Sequence, residues 1–242
     1  MNRRDLIEKL APAVGALPWL TVTAGPYHFD DFLTPGDDPA SQGLGAWVHA
    51  LGRTLRPLTK LTYALESTLG WSSAPERRVT SILVLAIAAI ALASVLRRAG
   101  ISRGVATALA VAFAAHPIHE DAVLLVAGRG ALLALAFVLL ALDYAMRERA
   151  WAAAGMLALA VLARETAVAA ALPLAACAFF PRRRVLARLE PVGVVVLLAF
   201  AFLAAHHRYR ELADYSFHGR PWLASVVGQV AAVPLGLTLY AR

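Results

Sequence analysis

Long apolar stretches separated by short polar segments recur along nearly the whole chain. The eight stretches occupy residues 10–24, 79–96, 105–115, 122–142, 151–163, 166–180, 192–205 and 222–240. A helix needs about 20 apolar residues to cross a bilayer core of about 30 Å, and alanine, leucine and valine with scattered glycine favour helices over a barrel. The pattern predicts an all-α, multi-pass membrane protein of about eight transmembrane helices, with residues 1–242 forming a single integral-membrane domain.

The largest segment between these stretches is a first loop at about residues 25–78. It begins with turn-forming residues and then carries two amphipathic patches, at 44–55 and 58–69. These patches predict short helices lying along the membrane surface. The apolar stretch before the loop follows a basic start but lacks a small-residue cleavage site, so we predict an uncleaved first span rather than a signal peptide.

Composition narrows the class of protein. Hydrophobic residues make up 60% of the 242 positions and charged residues only 16%, and the mean hydropathy is +0.63. Soluble domains have roughly half apolar and about a quarter charged residues, so a soluble enzyme, a disordered chain and a collagen-like chain are excluded. The single cysteine, Cys177, lies in an apolar stretch and excludes a disulfide scaffold.

The net charge of +7 is distributed unevenly, and the distribution predicts a topology. The basic loops share one side with the N terminus. They hold Arg3, Arg4, Lys9, Arg97, Arg98, Arg103, Arg147, Arg149, Arg182, Arg183, Arg184 and Arg188. Because cytoplasmic loops carry an excess of lysine and arginine, we predict a cytoplasmic N terminus in the inner (plasma) membrane and an acidic face that is periplasmic or extracellular. The same rule accounts for the basic balance without a nucleic-acid partner.

Three polar clusters lie on the predicted acidic face, where polar groups near a membrane indicate function. The first is the Phe-Asp-Asp-Phe segment at 29–32. The adjacent carboxylates of Asp30 and Asp31 are suited to act as a general base and to orient a substrate or hold a divalent metal. The alternatives are a solvated turn before Pro35 in which Asp30 caps a helix, and a rival acidic pair at 37–38.

The second cluster closes the third apolar stretch at residues 116–121. His116 and His119 stand beside Glu120 and Asp121, and this mixture of imidazoles and carboxylates is suited to ligate a metal. The alternative is a helix-end turn with a polar rim, since Pro117 ends the preceding helix. The His-Glu-x-x-His order of zinc proteases is absent from the sequence.

The third group consists of arginines near or within apolar stretches. Arg129 lies in a Gly-Arg-Gly segment, Arg164 precedes Glu165, and Arg56 lies in the long loop. An arginine in such a position either extends its head to water or binds a phosphate, which its planar fork suits. For Arg164 and Glu165 the alternative is an internal ion pair. Acids and arginines at one membrane face are the arrangement that a substrate linked to a lipid phosphate requires.

Five short motifs carry a resemblance to a known family. They are Phe29-Asp30-Asp31; Leu55-Arg56-Pro57-Leu58-Thr59; His116-Pro117-Ile118-His119 with Asp121-Ala122-Val123 and Gly128-Arg129; Leu162-Ala163-Arg164-Glu165-Thr166; and Gln229 followed by Pro234-Leu235-Gly236-Leu237. With these motifs in this order over nearly the whole chain, the sequence resembles the GT-C superfamily of membrane glycosyltransferases. Within that superfamily it is similar to the transmembrane and tetratricopeptide-repeat O-mannosyltransferase type and its bacterial relatives.

The resemblance implies an inverting transfer of a mannose-like sugar from a polyprenyl-phosphate donor to a hydroxyl of a protein or glycan acceptor. It implies that Asp30 or Asp31 is the base and that Asp121 places the acceptor or a divalent cation, Mg²⁺ or Mn²⁺ being the candidate cofactor. Arginines would hold the departing phosphate. The expected substrate-binding residues are Arg56, His116, His119, Glu120, Arg129, Arg164 and Glu165.

The sequence also departs from the family pattern. Asp121 stands where the family has glutamate, Arg164 replaces lysine, and the second span lacks an asparagine and a histidine. The chain stops at Arg242, where the family continues with further spans and often with helical repeats. These departures predict, as the alternative, a catalytically inactive or truncated relative that acts as a structural or assembly subunit. A transporter ranks third, because transporters place polar residues at mid-bilayer and show paired halves.

Overall fold

The computed structural model describes residues 3–52 and 54–170, and every regular element within these ranges is a helix. The α-helices are α1 (Arg3–Leu10), α2 (Leu44–Ala50), α3 (Pro57–Thr68), α4 (Ala74–Arg98), α5 (Arg103–Ala115), α6 (Glu120–Leu124), α7 (Arg129–Met146) and α8 (Ala150–Ala163). Segments of 3-10 helix occupy Ala11–Val22, Phe29–Asp31, Pro39–Ser41, Pro117–His119, Val126–Gly128 and Glu165–Ala170, and a wide π-helical turn occupies Phe32–Asp37. The all-α prediction is confirmed for this part of the chain.

Two of the described helices are long and apolar enough to cross a membrane. They are α4 and the helical stretch Val126–Met146, which coincide with the predicted spans at 79–96 and 122–142. Helices α5 and α8 are apolar but shorter. The predicted spans at 192–205 and 222–240, and most of the one at 166–180, lie outside the described residues, as does the fifth motif. The number of about eight spans therefore stays a prediction.

Helix α4 is central and packs against α5, α7 and the 3-10 helix Ala11–Val22. It begins at Ala74 because Ser73 caps it, with the Ser73 N–H donating to the Glu76 carboxylate at 2.9 Å. Its buried face is rich in alanine, including the fully buried Ala88, Ala89 and Ala93. Small residues allow helix backbones to approach one another closely, which explains how several helices fit around α4.

The first apolar stretch forms a 3-10 helix rather than the predicted membrane α-helix. It contains Pro12 and Pro18, and Pro18 lies inside the helix, where it has no N–H to donate. The segment packs tightly on α5, because a Cβ on Gly15 would collide with the backbone carbonyl of Val111. The Trp19 indole N–H donates to the Ala114 carbonyl oxygen at 2.8 Å and holds the two elements together.

Both amphipathic patches of the long loop form helices, but the two helices have different surroundings. Helix α2 has no buried residue. Helix α3 packs against α7 and α8 rather than lying on a surface, and its Tyr63 and Ala64 are fully buried. The loop is therefore joined to the bundle through α3.

The predicted span at 122–142 is interrupted. Helix α6 ends at Leu124, and Leu125 has an extended backbone with φ −82° and ψ 112°. A single 3-10 turn follows, and α7 begins at Arg129. Within this interruption the Ala127 N–H donates to the carboxylate of Asp31, a partner distant in sequence.

Candidate functional site

The segments that carry the first and third motifs meet at one end of the bundle. The Asp31 carboxylate accepts the Ala127 N–H at 2.8 Å and the His28 N–H at 3.3 Å, and the side chain is fully buried. Asp30, its neighbour, is exposed. The two adjacent acids therefore differ: Asp31 joins two segments of backbone, and Asp30 presents a carboxylate to the outside. Asp30 does not cap the 3-10 turn Phe29–Asp31, because the N–H of its N-cap residue, His28, donates to the Asp31 carboxylate.

Phe29, immediately before these acids, has a strained backbone. Its φ is +45° and its side chain is 82% exposed. Among the described residues, three positions other than glycine have positive φ: Phe29, Arg56 and Glu148. Such conformations cost of order 1–3 kcal/mol and concentrate at functional sites. The first two lie in the motifs.

Arg129 is fully enclosed at this end of the bundle, and each of its three guanidinium nitrogens is engaged. It forms an ion pair with Glu66 at 2.8 Å and lies over the Tyr63 ring, 4.6 Å from the centroid. Its hydrogen bonds go to the Ser81 hydroxyl, the Thr62 hydroxyl and the Arg77 carbonyl. In this arrangement Arg129 organises protein groups, and no face of it is open to a ligand.

Glu66 and Tyr63 belong to the same buried network, and Arg78, the next residue after Arg77, is buried as well; sequence reasoning did not assign a role to any of the three. Burial raises the pKa of the Tyr63 phenol, which therefore stays protonated and donates to the Val126 carbonyl at 2.6 Å. Arg78 donates to the carbonyls of Gly25 at 3.0 Å and Leu124 at 2.8 Å, and also to those of Thr23 and Pro26. The available signal was the Arg77-Arg78 pair at the start of an apolar helix, where a polar group needs an internal partner.

The second and fourth motifs are also joined. Arg56 donates to Glu165 through two bonds, Nε to Oε2 at 2.9 Å and Nη2 to Oε1 at 2.6 Å. Within one helical turn of each of these residues, the Thr59 hydroxyl donates to the Ala163 carbonyl at 2.8 Å. Arg56 has a left-handed backbone at the start of α3, and the bidentate contact holds its guanidinium against Glu165. Arg164 is half-buried.

The pKa of the Glu165 carboxyl reflects opposing effects. Burial raises the pKa, and the hydrogen bonds from Arg56 together with the charges of Arg56 and Arg164 lower it. The lowering effects prevail, and the pKa lies below its usual value. Glu165 is therefore ionised at neutral pH and paired with Arg56, as the internal ion-pair alternative predicted for this acid, although its partner is Arg56 rather than Arg164.

The third motif forms a turn between α5 and α6. His116 Nδ1 accepts the Ile118 N–H at 3.1 Å, and His116, Glu120 and Asp121 are exposed. His119 is buried edge-on against Phe113, with ring centroids 4.6 Å apart. Burial lowers the pKa of the His119 imidazole, although a hydrogen bond to the Phe113 backbone acts in the opposite direction.

A metal ion does not fit this turn as the structure places it. Among residues 3–52 and 54–170, no three histidine, cysteine, aspartate or glutamate side chains are grouped so that they could hold one ion. The Nδ1 atom of His116 is already an acceptor for a backbone N–H. We therefore assign no step to a divalent cation.

Gly128 connects this turn to the start of α7. A Cβ at this position would lie 2.7 Å from the Asp121 carbonyl oxygen and 3.0 Å from the Ala122 Cα. Only glycine permits this approach of two backbones. The contact holds the Asp121 segment against the turn that binds Asp31.

Together these contacts define what we call the motif end of the bundle: the Asp31 segment, the turn from His116 to Arg129, helix α3, the start of α4 and the end of α8. Its buried charged residues are Asp31, Glu66, Arg77, Arg78 and Arg129, so the positive charges exceed the negative charges by one. Its exposed acids include Asp30, Glu120 and Asp121. Such an end can offer a carboxylate to a hydroxyl. Comparison with protein-family models, with curated proteins and with solved structures gave no match for this chain.

Proposed function

We propose that this protein is a membrane-embedded glycosyltransferase that moves a sugar from a polyprenyl-phosphate donor to a hydroxyl of a protein or glycan acceptor. The observation that carries the proposal is the meeting of four separate motifs at the motif end. Asp31 contacts Ala127, 96 positions later, and Arg56 contacts Glu165, 109 positions later. A shared catalytic region is a physical reason for motifs that are distant in sequence to converge.

The proposed site faces the periplasm or the cell exterior, in a chain of about eight spans with a cytoplasmic N terminus. The lengths of α4 and Val126–Met146 support insertion in the inner (plasma) membrane. The motif end lies where these two helices begin, so a lipid-linked donor would have its phosphate at that level and its chain between helices. The exposed Phe29 offers an aromatic contact at the same level.

Asp30 is our candidate for the base. Both oxygens of Asp31 already accept backbone N–H groups, whereas Asp30 is exposed beside them. The acceptor hydroxyl would give its proton to Asp30, and its oxygen would attack the anomeric carbon. The bond from that carbon to the phosphate oxygen would break, and the electron pair would leave with the polyprenyl phosphate. The sugar would be transferred with inversion, and a positioned base contributes about 10²–10⁴ in rate.

The other residues of the site have proposed supporting roles. Asp121, with His116 and Glu120, would orient the acceptor, because all three side chains are exposed on the turn beside the Asp31 segment. Arg164 is our candidate for direct contact with the phosphate. Arg129 would act at a distance, through the excess positive charge of its enclosed network.

The test is sugar release from a panel of polyprenyl-phosphate sugars by the purified protein in lipid, with and without EDTA. We expect Asp30→Asn and Asp121→Asn to lower turnover at least 100-fold while the protein remains folded. Asp37→Asn is the matched control, since it removes an equally exposed carboxylate from the same loop. Loss of turnover in Asp37→Asn as well, or full turnover in Asp30→Asn, would contradict the assignment of Asp30 as the base.

A second candidate function is a non-catalytic membrane subunit. The full engagement of Arg129 and Asp31 in internal bonds favours it, because both were expected to contact substrate. The same experiment separates the two candidates. A folded protein that neither turns over nor binds any donor supports the subunit, and turnover that depends on Asp30 supports the enzyme.

A further inference from the structure

A basic cleft lies at the other end of the bundle. It is lined by Glu8 and Lys9 of α1, Arg97 in the last turn of α4 and Arg103 at the start of α5. Along α4, Arg97 is about 28 Å from Arg78 of the motif end, at 1.5 Å per residue. We call this the basic end. It also includes Arg98 and Arg147, which pair with Asp143.

The charges that line the basic cleft favour an anion. Three cationic side chains stand against one carboxylate, and Glu8 pairs with Arg103. Arg103 is also the first residue of α5, a helix of 13 residues, so the positive end of the helix dipole adds to its charge. Ser102 makes no side-chain hydrogen bond to the first turn, and the Cα of Gly104 faces open space.

Exposed apolar side chains adjoin the same polar groups. On α1, Leu6, Ile7 and Leu10 are exposed, and they flank the cleft residues Glu8 and Lys9 in the sequence. On α5, Val105 and Leu109 are exposed one turn apart but lie on the far side of the helix from Arg103, since each residue turns the helix by about 100°. A free phosphate ion would use only the charges, whereas an amphiphile with an anionic head would use both surfaces.

We propose that the basic cleft binds the phosphate head group of an anionic phospholipid, with the acyl chains against the exposed apolar side chains of α1. Arg97 and Arg103 contact the phosphate, and Lys9 closes the cleft from α1. Basic pockets at the end of membrane helices are the recognised setting for such head groups. The proposal rests on insertion in a membrane, as proposed above, and it is independent of sugar transfer.

The test is lipid retention measured by native mass spectrometry on the full chain in nanodiscs of phosphatidylcholine with and without phosphatidylglycerol. We expect the wild-type protein to retain phosphatidylglycerol selectively, and Arg97→Gln to weaken retention about five-fold, the usual effect of one basic residue near an anionic surface. Arg149→Gln is the matched control, because it removes one charge from an exposed arginine elsewhere in the same region of the chain. It should change retention less than two-fold.

Three outcomes would overturn the proposal. Equal losses in both variants would indicate diffuse surface charge rather than a cleft. Competition by millimolar inorganic phosphate would indicate a site for free anions. A chain that does not float with vesicles would contradict both the phospholipid site and the membrane transferase. An inactive protein that still retains phosphatidylglycerol through Arg97 would contradict only the transferase. Arg97→Lys keeps the charge, so it should retain phosphatidylglycerol as selectively as the wild type does. That result would show that Arg97→Gln loses retention because it loses the charge.

Discussion

At the motif end the guanidinium groups of Arg78 and Arg129 are enclosed by protein, whereas at the basic end Arg98 and Arg147 have 37% and 38% of their side chains exposed. The enclosed pair bonds to carbonyls, hydroxyls and Glu66, and the exposed pair shares the single carboxylate of Asp143. The two ends contain the same residue type in comparable numbers. Enclosure makes an arginine part of the fold, and exposure keeps it available to a ligand.

This contrast predicts the largest effect for Arg129→Met. The substitution leaves the carboxylate of Glu66 buried, and among the described residues its remaining cationic partner is Arg77 at 3.9 Å, so we expect a loss of about 3–5 kcal/mol in the free energy of unfolding. Arg98→Met is the comparison at the basic end. Asp143 keeps Arg147 at 2.6 Å and Ser94 at 2.7 Å, so we expect a loss below about 1 kcal/mol. Reversible denaturant unfolding in micelles measures both, and equal losses would remove the distinction between the ends.

The next effect concerns the packing of the motif end. Gly128→Ala places a methyl group 2.7 Å from the Asp121 carbonyl oxygen, and a backbone atom cannot rotate away. We expect a loss of about 1–3 kcal/mol from the forced shift. Gly155→Ala adds the same methyl group inside α8, where nothing lies within 4 Å, and should stabilise the protein by roughly 0.5–1 kcal/mol. Melting temperatures that move in the same direction for both variants would contradict the close approach at Gly128.

The smallest effect is the pH dependence of the Arg56–Glu165 pair. Because the pKa of Glu165 is lowered in the folded protein, its stabilisation is complete above the unfolded pKa of about 4.3 and is lost as the pH falls through the lower folded pKa. Glu165→Gln should therefore be less stable than the wild type at pH 7, by less than about 1 kcal/mol since Arg56 is 40% exposed, and equally stable at strongly acidic pH. Glu120→Gln, at an exposed carboxylate, should match the wild type at pH 7. If Glu165→Gln remained less stable than the wild type at strongly acidic pH, the loss of stability would come from packing rather than from the ion pair.

The local pattern of the sequence predicted several elements correctly. The amphipathic patches at 44–55 and 58–69 form α2 and α3, and the apolar stretch at 79–96 lies within α4. Each of these elements follows from residues a few positions apart, which is the range that helical periodicity reports.

Long-range partners determined the features that the sequence did not predict. Nothing near Arg129 in the sequence indicates that Glu66 supplies its partner, so an arginine in an apolar run suggested a phosphate ligand. Adjacent aspartates look alike in the sequence, yet Asp31 is buried by its bond to the Ala127 N–H and Asp30 is exposed. The same bond lies within the interruption of the predicted span at 122–142. A chemical role can be assigned to such residues only when their distant partners are known.

The 3-10 helix Ala11–Val22 has a mechanical consequence for the chain. At about 2.0 Å per residue its 12 residues reach about 24 Å, whereas an α-helix of the same residues would reach about 18 Å. The segment thus spans the distance between the basic cleft at its start and Asp30 beyond its end, and it is held to α5 at Gly15 and Trp19. Removing one residue would shorten this 3-10 helix by about 2 Å and rotate the residues that follow it by about a third of a turn. The length of this segment, together with that of α4, therefore sets the distance between the motif end and the basic end.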